Sequence, residues 1–534
     1  MSWCINVLRL AIGIILFAAI LVIPLPQQVP ATAEVNPQSV DPLTTTNDRL
    51  GIDFISSAEI AQANSNTIQS YRYDRAVSTG IHWDRWPIYW SSLETSNGGT
   101  NTTYQNAVDA TVNSDYAQGL QIDAILMNTP SWGLTALAAT LADAPEPRVG
   151  EGPHYLAPVS TQLGPTSISP ASTTPQNLYT SVFSDNTDTL APGKTINPNN
   201  YWARFVYNTV SRYKTKVKVW EMWNEPDSSS FWSGSVADYY RLLKVGYLAA
   251  KLADPSSTVL IGGMAYYTNT NFFGQLLSQI KADPTAAANN YYFDATAWHW
   301  YSRSSQMYDN VVNVTRSTLS TYGLGSKPIW VNETGVPIWN DPPGPGHPYF
   351  ASATLDEAAS YIIQAIAYGL AANVQRIFDF QEYDDGNGEA YGLVRNNNTT
   401  RPSYTAYQVA AQYLPNYTLA QRATDGNVER IIFWGTPWGK VTVLWNTSPT
   451  SRTYSQTAAP GRTKAYLVDK AGSITNLSLA SSYSIWLPGA TDNNGLTNQD
   501  YIIGGSPYLL VEEVPYKLPY QTFLPQVYKN GTVH

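Results

Sequence analysis

The 534-residue sequence holds one cysteine, Cys4, so no disulfide can form within the chain. Stability without such staples needs a large apolar core, which a chain of this length with 43% hydrophobic residues can build. Charge is scarce too: Asp, Glu, Lys and Arg make up 13% of the residues, and 31 basic side chains against 40 acidic ones leave a net charge of -9. A chain with no basic excess offers no face to the phosphates of nucleic acid or of an anionic membrane. Histidines number five, and His82, His154 and His347 lack the spacing of a zinc site, so neither metal nor cofactor is expected. Long apolar runs are missing as well. The run at 10–23 is short for a membrane span; with Arg9 before it and Pro24 and Ala31-Thr32-Ala33 after it, it predicts a secretory signal cleaved after Ala33. An uncleaved anchor is the alternative. Cleavage would remove Cys4 and send a monomer outside the cell with no stable span in the mature chain.

Aromatic residues, by contrast, are abundant: 17 tryptophans and 37 tyrosines stand among many Asn, Ser and Thr residues. That mixture suits flat stacking faces and neutral hydrogen-bonding groups, the complement of a carbohydrate. From Gly51 onward, short apolar runs alternate with helical patterns, the mark of βαβ units. Eight strands are predicted, at 51–56, 80–85, 121–127, 217–223, 258–262, 295–301, 328–332 and 376–380. Helices are predicted between them. One at 355–372 opens with Thr354 and Glu357 at capping-box spacing, and one at 236–253 stops before Pro255. Eight such pairs predict a (β/α)8 barrel over 49–413, after the signal (1–33) and a linker (34–48). The Pro-, Ser-, Thr- and Gly-rich insertion at 133–198 would overhang the C-terminal mouth of the barrel. Past residue 413, period-two alternation with intervening turns predicts an antiparallel β-sandwich ending in an unpatterned tail (414–534). Packing scaffold is its expected role, with a carbohydrate-binding module as the alternative.

Barrel chemistry gathers at the C-terminal strand ends. Glu225 ends the fourth strand in Trp223-Asn224-Glu225-Pro226, and Glu333 ends the seventh in "WVNETG". A lone glutamate after a strand is ordinarily solvated or caps a helix. Two of them, each following an aromatic-rich strand and an Asn (Asn224, Asn332), pair as the two carboxylates of glycoside hydrolysis. Alternation in "ATAWHWY" puts His299 and Tyr301 on one face of the sixth strand and Trp298 and Trp300 on the other. Arg85 ends the second strand beside Asp84, with a salt bridge as its bland role. Two or three of Trp90, Trp132, Trp223, Trp232, Trp339 and Phe380 are expected to stack on substrate. The acidic run Glu382, Asp384, Asp385 is expected to be a solvated loop, with a cation site as its alternative.

With these residues the sequence resembles the retaining glycoside hydrolases of the clan that carries its acid/base on strand 4 and its nucleophile on strand 7, closest to families 39 and 5. The resemblance covers the barrel and implies Glu225 as acid/base, Asn224 as partner of the sugar 2-hydroxyl, and Glu333 as nucleophile. It implies as well that Arg85 lies beneath Glu333, that Tyr301 donates to Glu333 and that His299 binds substrate. On the eighth strand, where the clan often has a tryptophan platform, the platform is either Phe380 or missing. An acid/base needs a raised pKa, which an aromatic wall around Glu225 would supply. A transglycosylase on the same carboxylates, or a barrel that only binds polysaccharide, are the alternatives.

Overall fold

The computed structural model of the protein describes residues 48–134, 174–301, 303–384, 389–495 and 500–514. The predicted signal and linker, the middle of the 133–198 insertion, His154, Asp385 and the tail lie outside the described residues.

All eight predicted strands form, as Leu50–Asp53 (β1), Trp83–Tyr89 (β2), Gln121–Met127 (β3), Val219–Asn224 (β4), Thr258–Gly263 (β5), Thr296–Tyr301 (β6), Ile329–Gly335 (β7) and Arg376–Asp379 (β8). They join in one parallel sheet in the order β5-β4-β3-β2-β1-β8-β7-β6. Bridges between Leu260 and Ala295 and between Met264 and Trp298 bring β5 against β6, so the ends of the sheet meet. Helices such as Val236–Ala253 and Leu355–Ala371 follow the strands, and the predicted Thr354–Glu357 capping box is made. The architecture is a (β/α)8 barrel. Its strands are buried on both faces, as a parallel sheet under a coat of helices must be. β2 runs on through Pro87 to Tyr89, past the predicted end at 85, because its register with β3 continues to Met127.

Two layers fill the barrel. The lower is apolar: Trp83, Val219, Leu260, Trp330 and Phe378 pack together, with the Trp83 and Trp330 rings 5.1 Å apart. The upper, nearer the C-terminal strand ends, is polar and holds Asp53, Arg85, Asp123 and Glu221 at 0% exposure. The end of the insertion, from residue 174, is fastened to the barrel by Arg241, which donates to the carbonyls of Leu178 (3.0 Å) and Thr180 (2.8 Å).

Outside the barrel wall, Asp84 and Asp115 share Ser56. The Ser56 hydroxyl lies 2.8 Å from Asp84 Oδ2 and 2.7 Å from Asp115 Oδ1, yet it has one proton to give. One of the two carboxyls must therefore hold a proton. Tyr73 (2.6 Å) and Trp86 (2.9 Å) donate to Asp115 as well, and burial still pushes it up to about 6. In the unfolded chain an aspartate titrates near 4, so the folded protein holds the extra proton and this stabilisation is complete below about pH 4. It is lost as pH rises through about 6. Burial also drives Asp84 well above the usual carboxylate range, so Asp84 holds the shared proton and Asp115 titrates beside it. Asp115→Asn should therefore reduce the fall in urea-unfolding stability between pH 4 and pH 7 by on the order of 2 kcal/mol; an unchanged slope would show that Asp115 is not raised.

The C-terminal domain is antiparallel, as expected. Its six-stranded sheet runs in the order Leu419–Asp425 (β9), Val428–Thr436 (β10), Gly439–Asn446 (β11), Tyr508–Glu513 (β16), Lys464–Asp469 (β13), Ile474–Asn476 (β14). Arg452–Thr457 (β12) and Ser482–Leu487 (β15) pair as a second sheet, and Val428, Leu444, Tyr483, Ile485 and Leu510 form a core of their own with residues from both sheets. The residues of alternate parity, among them Ile431, Val443 and Val511, belong to the barrel's own core. Trp445 meets Tyr368 of the helix Leu355–Ala371 edge-on at 5.0 Å, and Gln364 of that helix bonds the Gly504 and Gly505 carbonyls.

Candidate active site

At the end of β4 the chain turns sharply. Trp223 (φ 79°) and Glu225 (φ 39°) both lie in the left-handed region, which costs a side-chain-bearing residue roughly 1–3 kcal/mol. The neighbouring strand accommodates the turn. Glu225 N–H donates to the Gly263 carbonyl at 2.9 Å, and a Cβ at Gly262 would lie 2.6 Å from the Trp223 carbonyl oxygen. Trp223 Nε1 is tied to the Phe231 carbonyl at 2.9 Å. The indole goes into the core and the glutamate turns to the mouth.

Glu333, near the end of β7, receives a donor at each oxygen: Arg85 Nη1 at 2.7 Å from Oε1, and the Tyr301 hydroxyl on Oε2. Arg85 also donates to Asn224 Oδ1 at 3.0 Å, while among the described residues nothing accepts from Asn224 Nδ2. His299 stands between the glutamates, its Nδ1 2.8 Å from Glu225 Oε1 and 3.4 Å from Glu333 Oε2. Burial lowers its pKa to about 4, so the ring is neutral at pH 7. Its Nε2 faces Arg85 Nη2 at 3.4 Å, and a guanidinium only donates. The ring proton therefore belongs on Nδ1, where it donates to Glu225. Gly263 makes room for this ring, since a Cβ there would lie 2.0 Å from Nε2. One oxygen of Glu225, one of Glu333 and a ring nitrogen of His299 all lie within 4.8 Å of one another. Arg85 reaches two members of this triad, Glu333 at 2.7 Å and the His299 ring at 3.4 Å.

Of the residues singled out from sequence, Arg85, Asn224, Glu225, His299, Tyr301 and Glu333 thus meet in one hydrogen-bonded cluster. Trp298 and Trp300 face away and stack on each other at 5.1 Å. Phe380 touches the cluster from the side, edge-to-face with Tyr301 (5.9 Å) and Tyr391 (5.6 Å), and at 2% exposure it has no open face to offer a ligand. Trp132 stands apart, half-buried beyond β3 between Trp90 and Tyr201 and bonded to the Glu94 carbonyl at 2.7 Å. Trp90, Trp223 and Trp232 are buried in the core. Of the acidic run, the two described members are not solvated: Glu382 (1% exposed) pairs with Arg72 at 3.1 Å, and Asp384 (8%) with Arg401 at 2.7 Å. Arg72, from the helix Ser70–Val77, and Arg401, just before the helix Pro402–Tyr413, neutralise these two, which no local pattern announced.

Other polar residues of the site went unread in the sequence. Glu221 binds Arg85 Nε at 2.8 Å and Nη2 at 3.2 Å, and Asp53 and Asp123 lie close by. A charged residue amid the apolar strand "VWEMW" was the available signal. Asp227, two residues past Glu225, accepts the amides of Ala265 (3.0 Å) and Tyr266 (2.6 Å); burial foremost, then the neighbouring Glu225, pushes it up to about 7.

Residues 197–407 match the glycosyl hydrolase catalytic core. The match contains both glutamates. A β-xylosidase of Caldicellulosiruptor saccharolyticus is 26% identical over 228 residues, 38% of this chain and 43% of its own, so this chain spans less than half of that relative. Among solved structures, a family 39 glycoside hydrolase from the gut symbiont Bacteroides cellulosilyticus WH2 superposes with a TM-score of 0.56 at 17% identity, covering 87% of this chain and 81% of its own. A family 30 endoxylanase from Clostridium papyrosolvens C71 does so with 0.52 at 12% identity, covering 89% and 97%. These likenesses establish the fold. Over residues 197–407 the chain is similar to a glycosyl hydrolase catalytic core, and it resembles the clan in which strands 4 and 7 bear the working carboxylates.

Proposed function

We propose that this protein is a secreted retaining glycoside hydrolase that cleaves β-xylosidic bonds of an oligo- or polysaccharide, with Glu225 as acid/base and Glu333 as nucleophile. The observation that carries the reading is the approach of one oxygen of each glutamate to within 4.8 Å. Retaining enzymes hold their carboxyls about 5–5.5 Å apart, whereas inverting ones leave about 6.5–9.5 Å for a water. The choice of β-xyloside follows the names of the β-xylosidase and endoxylanase relatives.

In the first step Glu225 gives its proton to the glycosidic oxygen while Glu333 attacks the anomeric carbon, and the pair of the breaking C–O bond leaves with the protonated oxygen. Arg85 and Tyr301 hold the attacking carboxylate in line. The Asn224 amide, its oxygen fixed by Arg85, presents N–H groups to the sugar 2-hydroxyl. In the second step the ionised Glu225 takes a proton from water, the hydroxyl attacks the same carbon, and Glu333 leaves. His299, neutral throughout, donates to Glu225 and orients it.

Proton NMR during hydrolysis of 4-nitrophenyl β-xyloside tests the assignment. First release of β-xylose is expected; α-xylose would mean inversion, and no cleavage of any β-glycoside would leave a binding protein. Gly263→Ala should lower kcat about 100-fold by displacing the His299 ring, because an ångström of misplacement costs that much. Steady-state kinetics on the same glycoside would read it, and a wild-type kcat would remove His299 from the mechanism.

A further inference from the structure

Four carboxyl groups surround Arg85, and they are not equivalent. Glu221 takes two guanidinium bonds, at 2.8 and 3.2 Å, and its oxygens also accept the Gly263 amide (2.6 Å) and Asn332 Nδ2 (2.8 Å). Glu333 takes the third bond, at 2.7 Å. Asp53 and Asp123 stop short, their oxygens 3.8 and 3.9 Å from the nearest guanidinium nitrogens. Among the described residues no hydrogen-bond donor reaches either oxygen of Asp53, or Oδ1 of Asp123, whose Oδ2 has Asn332 Nδ2 at 3.4 Å. Both aspartates are 0% exposed. A carboxylate anion taken out of water without donors costs far more than the neutral acid does.

We propose that Glu221 is a positioning residue that shares Arg85 with the nucleophile, and that Asp53 and Asp123 are held as neutral acids, so that Arg85 faces two negative charges and not four. The catalytic consequence rests on the hydrolase reading; the protonation states do not. The groups facing Arg85 and Glu333 are Asp53 from β1, Asp123 from β3, Glu221 and Asn224 from β4, Glu225 just past it, and His299 and Tyr301 from β6. β5 adds the Gly263 amide and β8 the uncharged Phe380. Burial drives Asp53 well above the usual carboxylate range, opposed by Arg85 and aided by Glu333; it drives Asp123 up as well, aided by Glu221. In the glycosylation step Glu225 gains a negative charge as Glu333 loses one, so the site's charge is conserved. Two further anions beside Arg85 would draw the guanidinium off the nucleophile.

Infrared difference spectroscopy of the full chain at neutral pH, without substrate, tests the protonation states. Asp53→Asn and Asp123→Asn should each delete a protonated-carboxyl band, and Glu221→Gln should delete only carboxylate absorption. A protonated band lost in Glu221→Gln, no band lost in an aspartate variant, or failure of an aspartate variant to fold at neutral pH would overturn the proposal. On 4-nitrophenyl β-xyloside, Glu221→Gln should lower kcat about 100-fold. The acid limb of its kcat/KM profile should move about one unit to lower pH, since Arg85 then serves Glu333 alone. Glu221→Asp should restore part of both. An acid limb that stays in place would reduce Glu221 to a structural part. If the parent chain cleaves no glycoside, the hydrolase reading falls while the infrared result still stands.

Discussion

Glu333→Ala is expected to lower turnover of 4-nitrophenyl β-xyloside by about 10⁴-fold or more, the scale on which loss of a covalent nucleophile is felt. Glu225→Ala should cost about 10²–10⁴-fold, the usual worth of a general acid–base. Azide separates the two roles. With the side chain of Glu333 removed, a small anion fits beside Arg85 and attacks the anomeric carbon from the vacated face while Glu225 still protonates the leaving oxygen, so the product is the α-azide. With Glu225 removed, Glu333 still displaces the good nitrophenolate leaving group, which needs little protonation. The glycosyl-enzyme then accumulates, KM falls with kcat, and azide opens the intermediate to the β-azide without needing a base. Product analysis by NMR checks both. The same azide anomer from the two variants, or near-parental activity in either, would refute the assignment.

Arg85→Gln should be the most damaging single change to stability in the barrel interior, at about 3–5 kcal/mol, because it strips the cation from a buried pair and leaves its partners uncompensated. Glu221 would keep the Gly263 amide and Asn332, but lose both guanidinium bonds; Glu333 would keep Tyr301. The cost comes from ionised carboxylates, so it should shrink as pH falls and they take up protons. Urea unfolding of parent and variant at pH 7 and pH 4 would read this. A penalty equal at both would point to lost packing of the guanidinium and not to charge.

Much of this site was legible because its chemistry sits where chain pattern changes. Glu225 and Glu333 interrupt strand ends, and the alternation of Ala295–Tyr301 separates His299 and Tyr301 from the two tryptophans, which do pack outward. Glu221, Asp53 and Asp123 escaped for the reason that makes the barrel stable. Both faces of a parallel strand are buried, so alternation cannot tell a carboxylate inside the barrel from one against the helices. Asp84 and Arg85 illustrate this: adjacent in sequence, one bonds Ser56 outside the wall and the other binds Glu333 within it. In the C-terminal domain the side chains of β9, β12 and β14 are polar and largely exposed, so these strands lack the apolar beat of β10, β11 and β16. The kink at Trp223 and Glu225 is set by Gly262 and Gly263 of the next strand, and such a long-range fit leaves no local trace.

The placement of β16 bears on inheritance. It pairs with β11 on one side and β13 on the other, at the middle of a sheet whose inner side is continuous with the barrel's core. A reading frame broken before Tyr508 would therefore split that sheet into two fragments with raw edges and uncover the helix Leu355–Ala371, which follows the strand bearing Glu333. Recombination that deals domains between genes as separate cards should find this pair dealt only together.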